Sequence, residues 1–170
     1  ERTDLKTSGY NVDIPEDGDP TMKPTGDIKS HYTDLLPSLL LKYKYSDDGS
    51  LRASITKTIA RPKYSALIAN KTFNIADEEA TIGDPSTKPA RALNIDLSAD
   101  YYFKSIGVVS LGLFYKDIKN VNVETLGYYT GAELGIAGNE ELFEVTQNLN
   151  AYDAHIFGVE AAYQRDFSFI

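Results

Sequence analysis

The segment Leu93–Phe103, reading LNIDLSADYYF, constrains the fold more than any other part of the chain. Its odd positions Leu93, Ile95, Leu97, Ala99, Tyr101 and Phe103 are all apolar. The even positions Asn94, Asp96, Ser98 and Asp100 are polar or charged, and only Tyr102 softens the rule. A period of two puts these sets on opposite faces of a strand. Strands of soluble sheets usually run about 5–6 residues, whereas a tilted strand needs about 9–11 to cross a bilayer. The apolar face ends in aromatic rings, which collect where a membrane meets water.

Other segments repeat the pattern. Leu35–Tyr45 carries Leu35, Pro37, Leu39, Leu41, Tyr43 and Tyr45 on one face, although Leu36 and Leu40 blur the other. Leu51–Ile59, Val108–Lys116 and His155–Gln164 alternate likewise, and Glu1–Lys6 reads as the tail of an incoming strand. Two connections, Ser46–Ser50 and Lys104–Gly107, are short and contain Gly, which adopts positive φ at no steric cost. They alternate with long segments, Thr7–Ser30, Arg61–Ala92 and Asn120–Tyr152, which read as loops. Structureless loops beyond about 12–15 residues are uncommon in compact soluble domains. Outer-membrane barrels combine short turns at one end with long loops at the other. Tyr43, Tyr45, Tyr101, Phe103 and Tyr163 then form a girdle beside the short turns, and Tyr32 and Tyr115 belong to the opposite one. Lys57, on an apolar face, lies late enough in its strand to snorkel. The expected fold is therefore all-β: an antiparallel meander of about six strands across residues 1–170, a segment of a large transmembrane β-barrel.

Composition narrows the chemistry. No run of about 18 apolar residues exists, so a transmembrane helix is excluded while a barrel is not. The chain has no Cys, which rules out disulfides, thiol nucleophiles and thiolate metal sites. A net charge of −8 argues against nucleic-acid binding, which needs Lys and Arg to neutralise phosphates. Twelve Tyr, seven Phe and no Trp suit an interface where each ring is wet at one end.

The residues also resemble a family. Tyr32–Leu67 carries Leu36-Pro37-Ser38 in one strand and Ala60-Arg61-Pro62 after the next, as the late barrel of TonB-dependent outer-membrane receptors does. Gly83–Pro89, GDPSTKP, resembles that family's Gly-Asn-Pro-x-Leu-Lys-Pro loop, with Asp84 for Asn and Thr87 for Leu. Asn94 and Asp96, then LFYKDIKN at Leu113–Asn120 and FGVEAAYQ at Phe157–Gln164, continue the match in order. The resemblance implies a 22-stranded barrel, of which this chain is roughly a quarter, an N-terminal plug domain and energy supplied through TonB.

No catalytic constellation, phosphate loop or HExxH motif is present, so no enzyme, cofactor or resident metal is expected. His31 and His155 each read as a lone exposed histidine, and the acidic stretches Asp13–Asp19 and Asp77–Glu79 as solvated loop, lacking EF-hand spacing. Alternation points Arg52, Asp96, Asp100 and Glu160 into the barrel lumen, to pair with one another or with the plug. Tyr128, Tyr129 and Glu133 in the third long segment, and Arg61 in the second, are the candidates for ligand contact, because receptors read their ligands with external loops. The expected function is nutrient import across the cell outer membrane, with lipid, plug, TonB complex and a small-molecule or oligosaccharide ligand as partners. Siderophore, vitamin, haem, peptide and oligosaccharide all remain open as ligands. The alternatives are a soluble β-sandwich ligand- or carbohydrate-binding module and, third, a jelly-roll hydrolase.

Overall fold

Stretches of alternating and β-branched residues become strands in the computed structural model, which describes residues 1–13, 21–103 and 107–165. The Lys104–Gly107 turn, apart from Gly107, and most of Asp13–Asp19 lie outside those residues. The chain opens with β1 (Arg2–Thr7), β2 (Tyr10–Asp13), β3 (Thr21–Pro24) and β4 (Ile28–Thr33). A hairpin of β5 (Ser38–Lys44) and β6 (Gly49–Ala60) follows, then a 3-10 turn at Tyr64–Leu67. Next come β7 (Lys71–Asn74), β8 (Glu79–Ile82), β9 (Ala90–Tyr102) and β10 (Gly107–Thr130). A single helical turn, α1 (Gly131–Leu134), leads into β11 (Leu142–Arg165). No helix among the described residues is long and apolar enough to cross a membrane, which leaves a β-barrel untouched.

The chain divides into two compact units. The second comprises Leu35–Ala60, Arg91–Lys119 and the residues from Asp153 onward. Its strands follow the order β5-β6-β9-β10-β11. Register fixes the faces: Leu39 lies opposite Ile55 and Tyr43 opposite Leu51. On the neighbouring ladder Leu97 faces Leu113, Ile95 faces Tyr115 and Asp100 faces Ser110. The alternating apolar residues thus share one face, which turns charged at Lys57, Asp117 and Lys119, while Asp100 and Ser110 lie on the other. The apolar face is bare, with Leu41 58%, Leu97 48%, Leu111 49% and Val159 59% exposed.

The ends of these strands are also ordered as expected. Gly49 donates its N–H to Ser46 at 3.4 Å, and the Tyr45 ring covers Gly49 so closely that a Cβ there would overlap it. The amide of Tyr102 reaches the Asp48 carbonyl at 2.7 Å, and Phe103 bonds Gly107 at 2.8 Å. The Ser46–Ser50 turn, Tyr102, Phe103 and Gly107 therefore share one end of the second unit. At that end the Tyr101 and Phe103 rings meet edge to face, their centroids 4.9 Å apart.

The first unit comprises Glu1–Asp34, Arg61–Ala90 and Asn120–Tyr152. Here the fold is richer than the expected loops. β1 pairs with β4, β2 with β3, and β7 with β8, all antiparallel. β8 then runs parallel to β11, matching Val145 with Ala80, an exception to the meander. Ala80, Leu134, Ile136, Phe143 and Val145 form a buried core, with Phe73 and Ile82 packed against it. Phe73 and Phe143 pack edge on, a geometry that favours the positive ring edge over the negative face.

Candidate functional site: a polar strand face and a separate cavity

The even-numbered residues of the second unit build a cross-strand polar network. The guanidinium of Arg52 donates to Asp100 at 2.6 Å, with the Asp100 side chain only 10% exposed. Ser110 donates to the other Asp100 oxygen at 2.8 Å, so a carboxylate taken out of water is satisfied on both sides. Ser54 donates to Asp96 at 3.0 Å, and the Asn94 amide reaches the hydroxyls of Thr56 at 3.3 Å and Thr58 at 3.2 Å. Arg52, Asp96 and Asp100 are thus drawn into one face. Glu160 lies exposed near Gly112 on that same face. The Phe114 ring sits over Gly158, where any Cβ would collide with it.

In the first unit three of the four ligand-contact candidates, Tyr128, Glu133 and Arg61, engage separate partners. Tyr128 is 67% exposed and donates its hydroxyl to Glu144 at 3.0 Å. That hydrogen bond, then the carboxylate's charge, raises the phenol above its ordinary pKa. Tyr129 is 37% exposed. Glu133 accepts from the Thr130 amide at 2.9 Å, and Thr130 accepts from the Glu133 amide at 3.3 Å, closing a capping box on α1. The Thr-x-x-Glu spacing was a legible signal for that role. Arg61 is engaged by the Glu1 carboxylate.

Sequence reasoning missed a cavity of about 480 Å³ in this unit. Tyr10, Met22, Ile68, Phe73 and Ile75 line it together with Asn70 and Lys71. Its size lies within the roughly 300–1,000 Å³ of small-molecule sites. Lys71 is steadied there by donating to the Leu134 carbonyl at 2.9 Å. The one available signal was the alternation from Lys71 to Ile75, hidden in a stretch read as loop.

The Gly83–Pro89 segment is shaped by its own chemistry. Asp84 accepts from the Ser86 amide and hydroxyl, both at 2.8 Å, an Asx turn that Asp makes as well as Asn. Asn150 then pins the segment: it accepts from the Lys88 amide at 2.7 Å and donates to the Lys88 carbonyl at 2.9 Å. The same amide reaches the Asn120 carbonyl at 3.2 Å and the Asn122 side chain. Of the two histidines, His31 pairs in register with Asp4 in the first unit, while His155 stacks on Tyr115 in the second.

Residues 3–170 match the family described as TonB dependent receptor-like, beta-barrel. The chain belongs to that family. Its members are receptors rather than enzymes, which removes the jelly-roll hydrolase and the soluble β-sandwich from consideration. Among curated proteins no sequence matches. Solved structures do. A double mutant of the Serratia marcescens hemophore receptor HasR, bound to its hemophore HasA and heme, superposes with a TM-score of 0.67 at 13% identity. That match covers 97% of this TonB-dependent receptor chain and 27% of HasR. The siderophore receptor PirA of Acinetobacter baumannii gives 0.57 at 20% identity, over 84% of this chain and 22% of its own. A Q482A mutant of the Pseudomonas aeruginosa ferric enterobactin receptor PfeA, with enterobactin, gives 0.56 at 18%, over 93% and 22%. The chain spans about a quarter of the length of these receptors. At such identities the likeness establishes the barrel fold.

Proposed function

We propose that this chain is a segment of an outer-membrane receptor that binds a scarce nutrient and imports it with energy coupled through TonB. The two-faced sheet of the second unit carries the reading. A face of Leu, Ile, Val and aromatic side chains is left bare, while the opposite face satisfies its own polar groups. Water penalises the first arrangement at roughly 25 cal/mol per Å² of apolar surface, and lipid removes the penalty.

In this reading Arg52, Asp96, Asp100 and Glu160 face the lumen, next to the plug domain of the parent receptor. Ligand contact falls to the first unit, through Tyr128, Tyr129, Glu133, Arg61 and the cavity beside Phe73. Receptors matched in structure carry heme or a siderophore, so this protein's ligand is taken to be a small molecule of that kind. A vitamin or an oligosaccharide is the second choice.

The test is folding into lipid vesicles. Leu97→Arg, on the lipid-facing side, is expected to cost about 2–4 kcal/mol near the bilayer midplane, and Ser98→Arg much less. Equal sensitivity at the two positions would refute the assignment of faces.

A further inference from the structure

The cavity of the first unit runs along a strand edge. Consecutive residues Lys71, Thr72 and Phe73 of β7 line one wall, and Gly9 and Tyr10, at the start of β2, line the other. A cavity over a sheet face would meet only every second residue. Ladder parity shows what the walls present. Gly83 donates to the Asn70 carbonyl at 3.1 Å, so the bonded pairs with β8 fall at Asn70, Thr72 and Asn74. Lys71 and Phe73 therefore turn their N–H and C=O groups away from β8. On the other wall Thr25 donates to the Gly9 carbonyl at 2.8 Å. The next pair sets Tyr10 opposite Pro24, which has no N–H, and Tyr10 turns its peptide groups away from β3. Among the described residues neither edge has a ladder partner. The walls touch at Gly9, where a Cβ would overlap the Ala69 carbonyl, and the cavity lies beyond that contact.

We propose that this slot takes an extended peptide as an added strand between β7 and β2. Unpaired edge groups form a template that another backbone satisfies along its length. The four residues of β7 offer about 13 Å of edge, the span of about four peptide residues. An apolar side chain of the peptide is covered by Tyr10, Met22 and Ile75, which are 58%, 72% and 47% exposed without it. The peptide is also basic. Asp77, Glu78 and Glu79 are exposed at the tip of the β7–β8 hairpin, just past Ile75. Glu79 lies beside Glu144 in the ladder to β11, a like-charge pair that a neighbouring cation relieves.

The experiment uses the receptor purified in detergent and a labelled decapeptide of alternating valine and threonine flanked by lysines, followed by fluorescence anisotropy. A companion peptide carries N-methyl groups on alternate amides, which keep the side chains and remove edge hydrogen bonds. Methylation is expected to weaken binding at least tenfold, and exchange of the flanking lysines for glutamates at least fivefold. Lys71→Pro, which deletes an N–H of the open edge, should bind at least fivefold more weakly than Lys71→Ala, which keeps it. Absent binding, or equal binding of the methylated and unmethylated peptides, overturns the proposal. So does a glutamate-flanked peptide that binds as tightly, or a Lys71→Pro variant that matches Lys71→Ala. The peptide comparisons use the unaltered receptor, so they decide whether or not the proline variant folds. The inference rests on the receptor reading and narrows it at this cavity, leaving Tyr128, Tyr129, Glu133 and Arg61 to the small molecule. The two fail separately. Loss of the Leu97→Arg penalty in vesicles refutes the membrane faces, whereas methylation-insensitive binding with that penalty intact refutes the slot alone.

Discussion

At the scale of single residues, Asn120 shows how a strand can hide a turn former. It lies inside β10 at φ 55°, at the start of the segment that reads as a long loop, and the chain passes there from the second unit to the first. Asn tolerates the left-handed region because its short polar side chain relieves the clash that a β-branched residue cannot avoid. Asn120→Val should therefore destabilise the protein by about 1–2 kcal/mol, and Asn120→Gly by much less. Denaturant titration of the two variants checks the order; equal losses would mean that the side chain, not the backbone, matters. Tyr128 offers a second residue-scale test. Its hydrogen bond to Glu144 holds the neutral phenol, so its pKa lies above the model-compound value of 10.0. A group whose folded pKa is raised contributes stability below its unfolded pKa and loses it as pH rises through the folded value. The ring-carbon resonance of Tyr128 should titrate at higher pH than that of a tyrosine with no carboxylate partner, and Glu144→Gln should bring it back down. A midpoint unmoved by that change would exclude the carboxylate as the cause.

At the scale of elements, the first unit stands on a small core of its own. Phe143 and Val145 are fully buried, and β8 is held against them by its parallel ladder to β11, its hairpin with β7 and the packing of Ala80 and Ile82. Phe143→Ala should cost roughly 3–5 kcal/mol, as large-to-small changes of a buried aromatic do. Hydrogen exchange at Glu79–Ile82 should accelerate in step, and unchanged protection there would show that β8 does not depend on this core. The same elements explain what the sequence concealed. Leu35–Tyr45 and Leu93–Phe103 are long enough for a period of two to be unmistakable. Lys71–Asn74 and Glu79–Ile82 put only a pair of residues on each face, too few to separate from loop. The parallel ladder between β8 and β11 joins segments distant in sequence, so no turn residue announces it. The polar face was legible as parity, but not the Arg52–Asp100 partnership. Register between β6 and β9 is set across the connection from Arg61 to Pro89, whose length carries no register information. Asn120–Tyr152 reads as loop in the sequence, yet β10 continues through Asn120 and Gly127 to Thr130.

At the scale of the whole molecule, the second unit leaves two kinds of surface for a neighbour to cover. Among the described residues β5 is paired only with β6, so its outer row of N–H and C=O groups is an open template for another strand. Its apolar face exposes Leu39 by 54%, Leu41 by 58%, Phe157 by 70% and Val159 by 59%, a continuous patch that soluble monomers avoid. Edge and patch act together, because each remedy for one leaves the other. Detergent covers the face and not the edge, whereas pairing along β5 satisfies the edge and extends the bare face. Only insertion in lipid beside further strands satisfies both, which is why the polar network can be complete while the opposite face is not. The chain in detergent-free buffer is therefore expected to sediment as associated species. Detergent should reduce that association, and Leu39→Lys together with Leu97→Lys and Val159→Lys should reduce it further by charging the patch. A non-associating monomer of the unaltered chain in plain buffer would contradict the membrane assignment of this face.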